Sequence, residues 1–96
     1  MTFIKLGAVR AFSGAAPDKA QALKVLEEAA EVVEAFKQRD PRDETHIGCD
    51  TARVLDEIAD TVQACCNLAS ALGVTDLTPH LARCEERNRE RGRYGD

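Results

Sequence analysis

Between Pro17 and Arg39 the chain reads PDKAQALKVLEEAAEVVEAFKQR, with apolar residues recurring at helical spacing. At about 100° per residue, Leu23, Leu26, Ala30, Val33 and Phe36 share one face. Val25, Ala29 and Val32 widen that face to more than half the circumference. No Gly or Pro follows Pro17, and Ala, Leu, Glu and Lys dominate, so the segment predicts a helix from Pro17 to Arg39. Pro17 suits the first turn, and Asp18 places negative charge at the N-terminus. Asp40-Pro41 ends the helix, because a residue before Pro is pushed out of helical geometry. A second periodic stretch carries Val54, Leu55, Ile58, Val62, Cys65, Cys66 and Ala69 on its apolar side. It predicts a helix from Thr51 to Leu72, capped by Asp50 or Thr51 and stopped by Gly73. Thr78-Pro79 pairs a cap with a Pro at the first helical position, opening a third helix that reaches Arg91 and stops at Gly92.

Residues 40–50, DPRDETHIGCD, read as a polar loop. The first sixteen residues admit two readings. Phe3, Ile4, Val9 and Phe12 suit a short helix packed on the rest, whereas Gly7 and Gly14 argue against one. With no repeat, low-complexity tract or linker, residues 1–96 are expected to form a single domain. Three long helices joined by short loops, plus the short N-terminal segment, predict an all-α antiparallel helical bundle.

A chain of 96 residues hides only about two thirds of its unfolded surface on folding. Aromatic residues are 4% and Trp is absent, so the core must be built from Ala, Val and Leu. Together with the wide apolar stripe, this predicts a core completed by a second subunit, in a homodimer or homotetramer. A net charge of −4 and a pI near 5.2 exclude the basic footprint that nucleic-acid binding requires. No stretch approaches the roughly 18 apolar residues of a membrane span. MTFIKLGAVRAFSGA lacks a basic start followed by a long apolar block, so no signal peptide is expected. Cys65 and Cys66 are adjacent, Cys49 and Cys84 stand alone, and no C-x-x-C pair exists. Cys65, Cys66 and Cys84 fall inside predicted helices, where Cys reads as a small buried apolar residue. The chain is thus expected to be reduced and cytoplasmic.

Charge placement on the two long helices is less ordinary. Glu27, Glu28, Glu31 and Glu34 lie within about 120° of arc on the first, with Lys24 the only cation among them. Like charges at i,i+3 and i,i+4 destabilise a helix by about 0.2–0.5 kcal/mol per pair, so something should offset them. Glu28 sits beside Val25 and Val32, at the border of the apolar face. On the second helix Glu57 and Asp60 lie one turn apart near the apolar margin. Ala64 leaves space beside them, and Asn67 lies two turns beyond Asp60. If the helices pack antiparallel, Glu28/Glu31 face Glu57/Asp60.

Four carboxylates converging without four cations call for a divalent metal. Hard oxygen ligands suit magnesium or manganese rather than zinc. Because magnesium keeps open positions for phosphate oxygens, such a cluster reads as a phosphate-handling site. The competing reading is a solvated acidic face, since Glu is a favoured helix residue. Either pair alone fits that description; both pairs on successive helices, each at the apolar margin, favour the metal.

The segments KVLEEAAEVVEA (Lys24–Ala35) and DEIADTVQA (Asp56–Ala64) resemble the MazG-like all-α nucleoside triphosphate pyrophosphohydrolase superfamily. Its signature is E-x-x-E on one helix and E-x-x-D on the next, here Glu28-Ala-Ala-Glu31 and Glu57-Ile-Ala-Asp60. The closing RCEERNRERGRY (Arg83–Tyr94) is similar to the Asn- and basic-rich last helix of many small members. The resemblance implies an oligomeric helical bundle that converts an NTP or dNTP to the monophosphate and pyrophosphate. Glu28, Glu31, Glu57 and Asp60 would hold magnesium, and Glu27 would assist from outside the ligand set or as a base. Lys24, Asn67, Asn88 and Arg91 are candidates for substrate binding. Lys24 can equally relieve the acidic stripe, and the charges of the last helix can equally decorate an exposed surface. Phe12, Phe36 and His46 match no base-recognition motif of the superfamily.

Phosphoribosyl-ATP pyrophosphohydrolase, which shares the acidic motifs, is the second enzyme reading. Its members follow E-x-x-D with an aromatic, His-containing stretch, where this chain has Thr61-Val62-Gln63-Ala64. A helical interaction module with an acidic face, needing no metal, is a third reading. A degenerate member that binds nucleotide without turnover is a fourth, against which the presence of all four acids argues.

Overall fold

A computed structural model describes residues 1–42 and 49–95, with only the backbone of Cys49. His46 lies outside the described residues. The described secondary structure is helical: α1 (Lys19–Gln38), α2 (Cys49–Ala71) and α3 (Thr78–Glu90), with no strand. The all-α expectation holds.

α1 starts later than Pro17 because Asp18 is itself the cap. Its backbone is extended, and its carboxylate accepts the Gln21 N–H at 2.9 Å. Arg39, just before Asp40-Pro41, has already turned to extended geometry. α2 starts earlier than expected, which corrects the caps assigned to Asp50 and Thr51. Both lie inside the first turn and tie the helices together instead. Asp50 accepts the Asp40 N–H and Thr51 Oγ1 accepts from Arg39 Nε, each at 2.9 Å. The end of α1 therefore meets the beginning of α2, and the two pack antiparallel. Gly73, with φ of 85°, lets the chain leave α2 in a left-handed turn.

The chain resolves into two compact units, Val9–Gly73 and Met1–Ala8 with Val74–Asp96. The first is the α1–α2 hairpin with the segment leading into it. Among its described residues the buried apolar ones are Ala35 and Ala64. Leu26, Val33 and Phe36, expected in the core, remain 65%, 59% and 61% exposed. The second unit carries α3, which has no buried residue. Thr78 does not cap it; Asp76 accepts the Thr78 N–H at 2.9 Å from two positions upstream. Hydrogen bonding from Thr78, its side chain first and then its backbone N–H, holds the Asp76 carboxyl below its usual range.

Residues 1–18 form no helix, which removes the short N-terminal helix from consideration. Phe3 and Ile4 are 76% and 78% exposed. The cysteine expectation is corrected in part: Cys65, Cys66 and Cys84 are free thiols, but Cys65 and Cys84 are exposed. They occupy helix faces that the chain itself leaves uncovered. No described helix is long and apolar enough to cross a membrane.

Candidate active site

Glu28 and Glu31, one turn apart on α1, and Glu57 on α2 bring carboxylate oxygens within 4.8 Å of one another. Antiparallel packing makes this possible, since it sets the middle of α1 against the middle of α2. Glu28 and Glu57 are half-buried and Glu31 is exposed. Asp60, one turn beyond Glu57, is exposed and borders a cleft together with Glu28.

Electrostatically the cluster is uncompensated. Lys24 pairs with Glu27 at 3.1 Å and Lys37 with Glu34 at 3.7 Å. Among the described residues no ion pair reaches Glu28, Glu31, Glu57 or Asp60. Lys24 and, from beside the stripe, Lys37 thus pair with Glu27 and Glu34 and leave Glu28 and Glu31 without such a partner. Glu57 Oε2 is closed off from solvent and has no hydrogen-bond partner. Loss of solvent, then the charges of Glu31, Asp60 and Glu28, raise the Glu57 carboxyl above its usual range. An orphaned carboxylate oxygen beside two more carboxylates, with no cation at hand, fits a hard divalent cation.

The cleft encloses about 480 Å³. It runs from Glu28 and Asp60, past Lys24, Gln63 and Ala64, to Phe12 and Asn67. Residues 12–15 form one wall, and Gly14, with φ of 80°, supplies the left-handed turn that wall needs. Asn67, only 4% exposed, fastens the wall to α2. Its Oδ1 accepts the Phe12 N–H at 2.9 Å and Gln63 Nε2 at 2.9 Å. Gln63 Nε2 also donates to the Arg10 carbonyl at 2.9 Å.

Of the residues singled out in the sequence, Glu28, Asp60, Lys24 and Asn67 border the cleft, and Glu31 and Glu57 join the carboxylate cluster. Glu27 is turned to Lys24. Asn88 and Arg91 belong to the second unit, where Asn88 Oδ1 accepts from Arg93 at 3.2 Å and Arg91 closes α3. Gln63 and Phe12 were missed as site residues. For Gln63 a signal existed, because Asp60, Gln63, Ala64 and Asn67 share one face at i, i+3, i+4 and i+7. The approach of Phe12 left no mark in the sequence.

A helical hairpin carrying E-x-x-E against E-x-x-D beside a cleft is the arrangement of the MazG-like all-α NTP pyrophosphohydrolases. The chain belongs, within that superfamily, to the phosphoribosyl-ATP pyrophosphohydrolase family, whose profile matches residues 13–88. This is a family of hydrolases acting on acid anhydrides. No curated protein and no solved structure matches the chain. The superfamily resemblance thus holds, and the matching family is the one that Thr61-Val62-Gln63-Ala64 placed second. Two of those four residues, Gln63 and Ala64, line the cleft.

Proposed function

We infer that the protein hydrolyses a nucleoside triphosphate, NTP or dNTP, to the monophosphate and pyrophosphate in a magnesium-dependent reaction. The observation that carries this reading is the uncompensated carboxylate cluster opening onto a cleft, in a chain of a pyrophosphohydrolase family. Glu28, Glu31, Glu57 and Asp60 would hold the cation, with manganese as a substitute. Such a cation supplies positive charge and Lewis acidity to phosphate oxygens. Lys24, at the cleft, offers its ammonium group to a phosphate, and Glu27 orients that ammonium group through their ion pair. Asn88 and Arg91 are proposed as further phosphate contacts. The match over residues 13–88 supports a single catalytic domain.

A second reading, hydrolysis of phosphoribosyl-ATP, is favoured by the family match. Against it stand Gln63 and Ala64, which put a carboxamide and a methyl group in the cleft where that enzyme's aromatic and His side chains are expected. The exposed Leu26, Val33 and Phe36 support a homodimer or homotetramer.

The test is pyrophosphate release from a panel of NTPs, dNTPs and phosphoribosyl-ATP, with magnesium, manganese or EDTA, and with Glu57→Gln as control. Metal-dependent release that the control lacks is expected. A Glu57→Gln protein as active as wild type, or activity indifferent to EDTA, would sink the reading.

A further inference from the structure

The hydrogen bonds at Asn67 leave no freedom in how its carboxamide is turned. The Phe12 backbone N–H can only donate, so the atom it meets must be Oδ1. A second neighbour of that oxygen must also donate, so Gln63 presents Nε2 there. The Arg10 carbonyl, which can only accept, takes the same nitrogen. Among the described residues these bonds leave two polar atoms over: Asn67 Nδ2 and Gln63 Oε1. Asn67 is 96% buried, borders the cleft, and carries an N–H group without a partner. That N–H group is not sealed from solvent as Glu57 Oε2 is, so a ligand in the cleft can reach it.

Its position indicates which part of a ligand that is. Asn67 lies seven residues beyond Asp60 on α2, roughly 10 Å along the helix. A nucleotide with its phosphates at the acids would pass its ribose along Gln63 and Ala64 and bring its base to Asn67. Phe12, 65% exposed and bordering the same end of the cleft, offers an aromatic face there. Asn67 itself fixes the backbone that carries that ring.

We propose that Asn67 determines base specificity, its locked Nδ2 selecting nucleotides whose base presents a hydrogen-bond acceptor at that point. This rests on the nucleotide-hydrolase reading and adds the means by which the base is read. Asn67 has a positioning role through Oδ1 and a recognition role through Nδ2, and one substitution separates them. Asn67→Asp keeps an acceptor for Phe12 and Gln63 but puts an acceptor in place of the N–H donors.

The experiment uses the full chain with magnesium, the preferred nucleotide of the panel, and inorganic tripolyphosphate as a competing probe of the phosphate end alone. For Asn67→Asp we expect KM for the nucleotide to rise about tenfold or more, as a site built around a hydrogen bond loses its partner. Inhibition by tripolyphosphate and exchange protection of the Phe12 amide should stay at wild-type levels. Asn67→Ala should lose both the nucleotide affinity and the Phe12 protection. An analogue of the preferred nucleotide without the base acceptor should raise KM on the wild-type protein by a similar factor. It should add little on Asn67→Asp, and this measurement stands even if Asn67→Ala does not fold. An unchanged KM in folded Asn67→Asp, or equal weakening of nucleotide and tripolyphosphate, overturns the assignment. Failure of the hydrolase reading itself is separately visible: the wild-type protein would then neither turn over any nucleotide nor bind one with magnesium, and the assignment would fall with it.

Discussion

Glu31 of α1 and Glu57 of α2 bring carboxylate oxygens within 4.8 Å of each other across the helix seam. Two charged carboxylates at that separation repel, and the closed-off Glu57 Oε2 has no donor to share the cost. Glu57→Gln removes one of the two charges. The metal-free variant should therefore melt above metal-free wild type. Magnesium should reverse the order by stabilising wild type more than the variant. Melting curves in EDTA and in magnesium decide this, and equal metal-induced shifts in both proteins would contradict a ligand role for Glu57.

The same pair gives a pH dependence of known sign. Glu57 has its carboxyl raised by burial and by Glu31, Asp60 and Glu28, so the folded protein holds this proton more tightly than the unfolded chain. The stability tied to it is complete below the ordinary carboxylate range and is lost as pH rises through the raised folded value. Asp40 and Asp76, lowered by hydrogen bonds to Arg42 and Thr78, act in the opposite sense. Comparing Glu57→Gln with wild type cancels those contributions. In EDTA the melting-temperature gap should be small in acid, widen as pH rises through the weakly acidic range, and level off near neutrality. A gap constant with pH would show that Glu57 does not titrate this way.

The helices and the acidic pairs were legible in the sequence for one reason: both are local. Uninterrupted Ala, Leu, Glu and Lys bounded by Pro41 and Gly73 fix α1 and α2, and helical periodicity alone places Glu28 with Glu31 and Glu57 with Asp60. Ends were less legible, because capping depends on which nearby carboxylate reaches an N–H. Asp18 caps α1, which was expected to begin at Pro17, and at α3 Thr78 donates its N–H to Asp76 instead of serving as the cap. The Phe12–Asn67 bond joins residues 55 positions apart and follows no periodicity. That the apolar stripe of α1 exceeds what the chain itself covers was legible in its width and in the lack of aromatic residues, whereas which of its side chains stay exposed depends on packing outside the helix.

Asp18 provides a check on the local part. Its carboxylate satisfies the Gln21 N–H at the start of α1. Asp18→Ala should cost about 1 kcal/mol, within the usual 0.5–2 kcal/mol for losing such a cap. Urea unfolding measures it, and Asp18→Asn should recover most of the loss. A destabilisation that Asn does not relieve would point to charge rather than capping.

Gln63 tests the wall of the cleft. Gln63→Ala removes the bonds to the Arg10 carbonyl and to Asn67 Oδ1, leaving Phe12, among the described residues, as the donor to that oxygen. Residues 10–15 should then exchange amide protons and be cleaved by protease faster than in wild type. Global melting should move little, because the α1–α2 packing is untouched. Unchanged exchange in this segment would mean that the Gln63 bonds do not hold it.

Leu26, Val33 and Phe36 share one side of α1 and remain 65%, 59% and 61% exposed. Among the described residues Ala35 and Ala64 are the buried apolar ones, a small core for a chain of this length. A second copy covering this stripe is the proposed remedy. Each Leu-sized side chain it buries contributes about 1.5–3 kcal/mol. Leu26→Asp removes that contribution on both copies of a symmetric dimer, so the dissociation constant should rise on the order of hundredfold or more. Sedimentation across a concentration series should show wild type as a dimer or larger and the variant shifted toward monomer. A wild-type chain that sediments as a stable monomer at every concentration would show that the stripe needs no second copy.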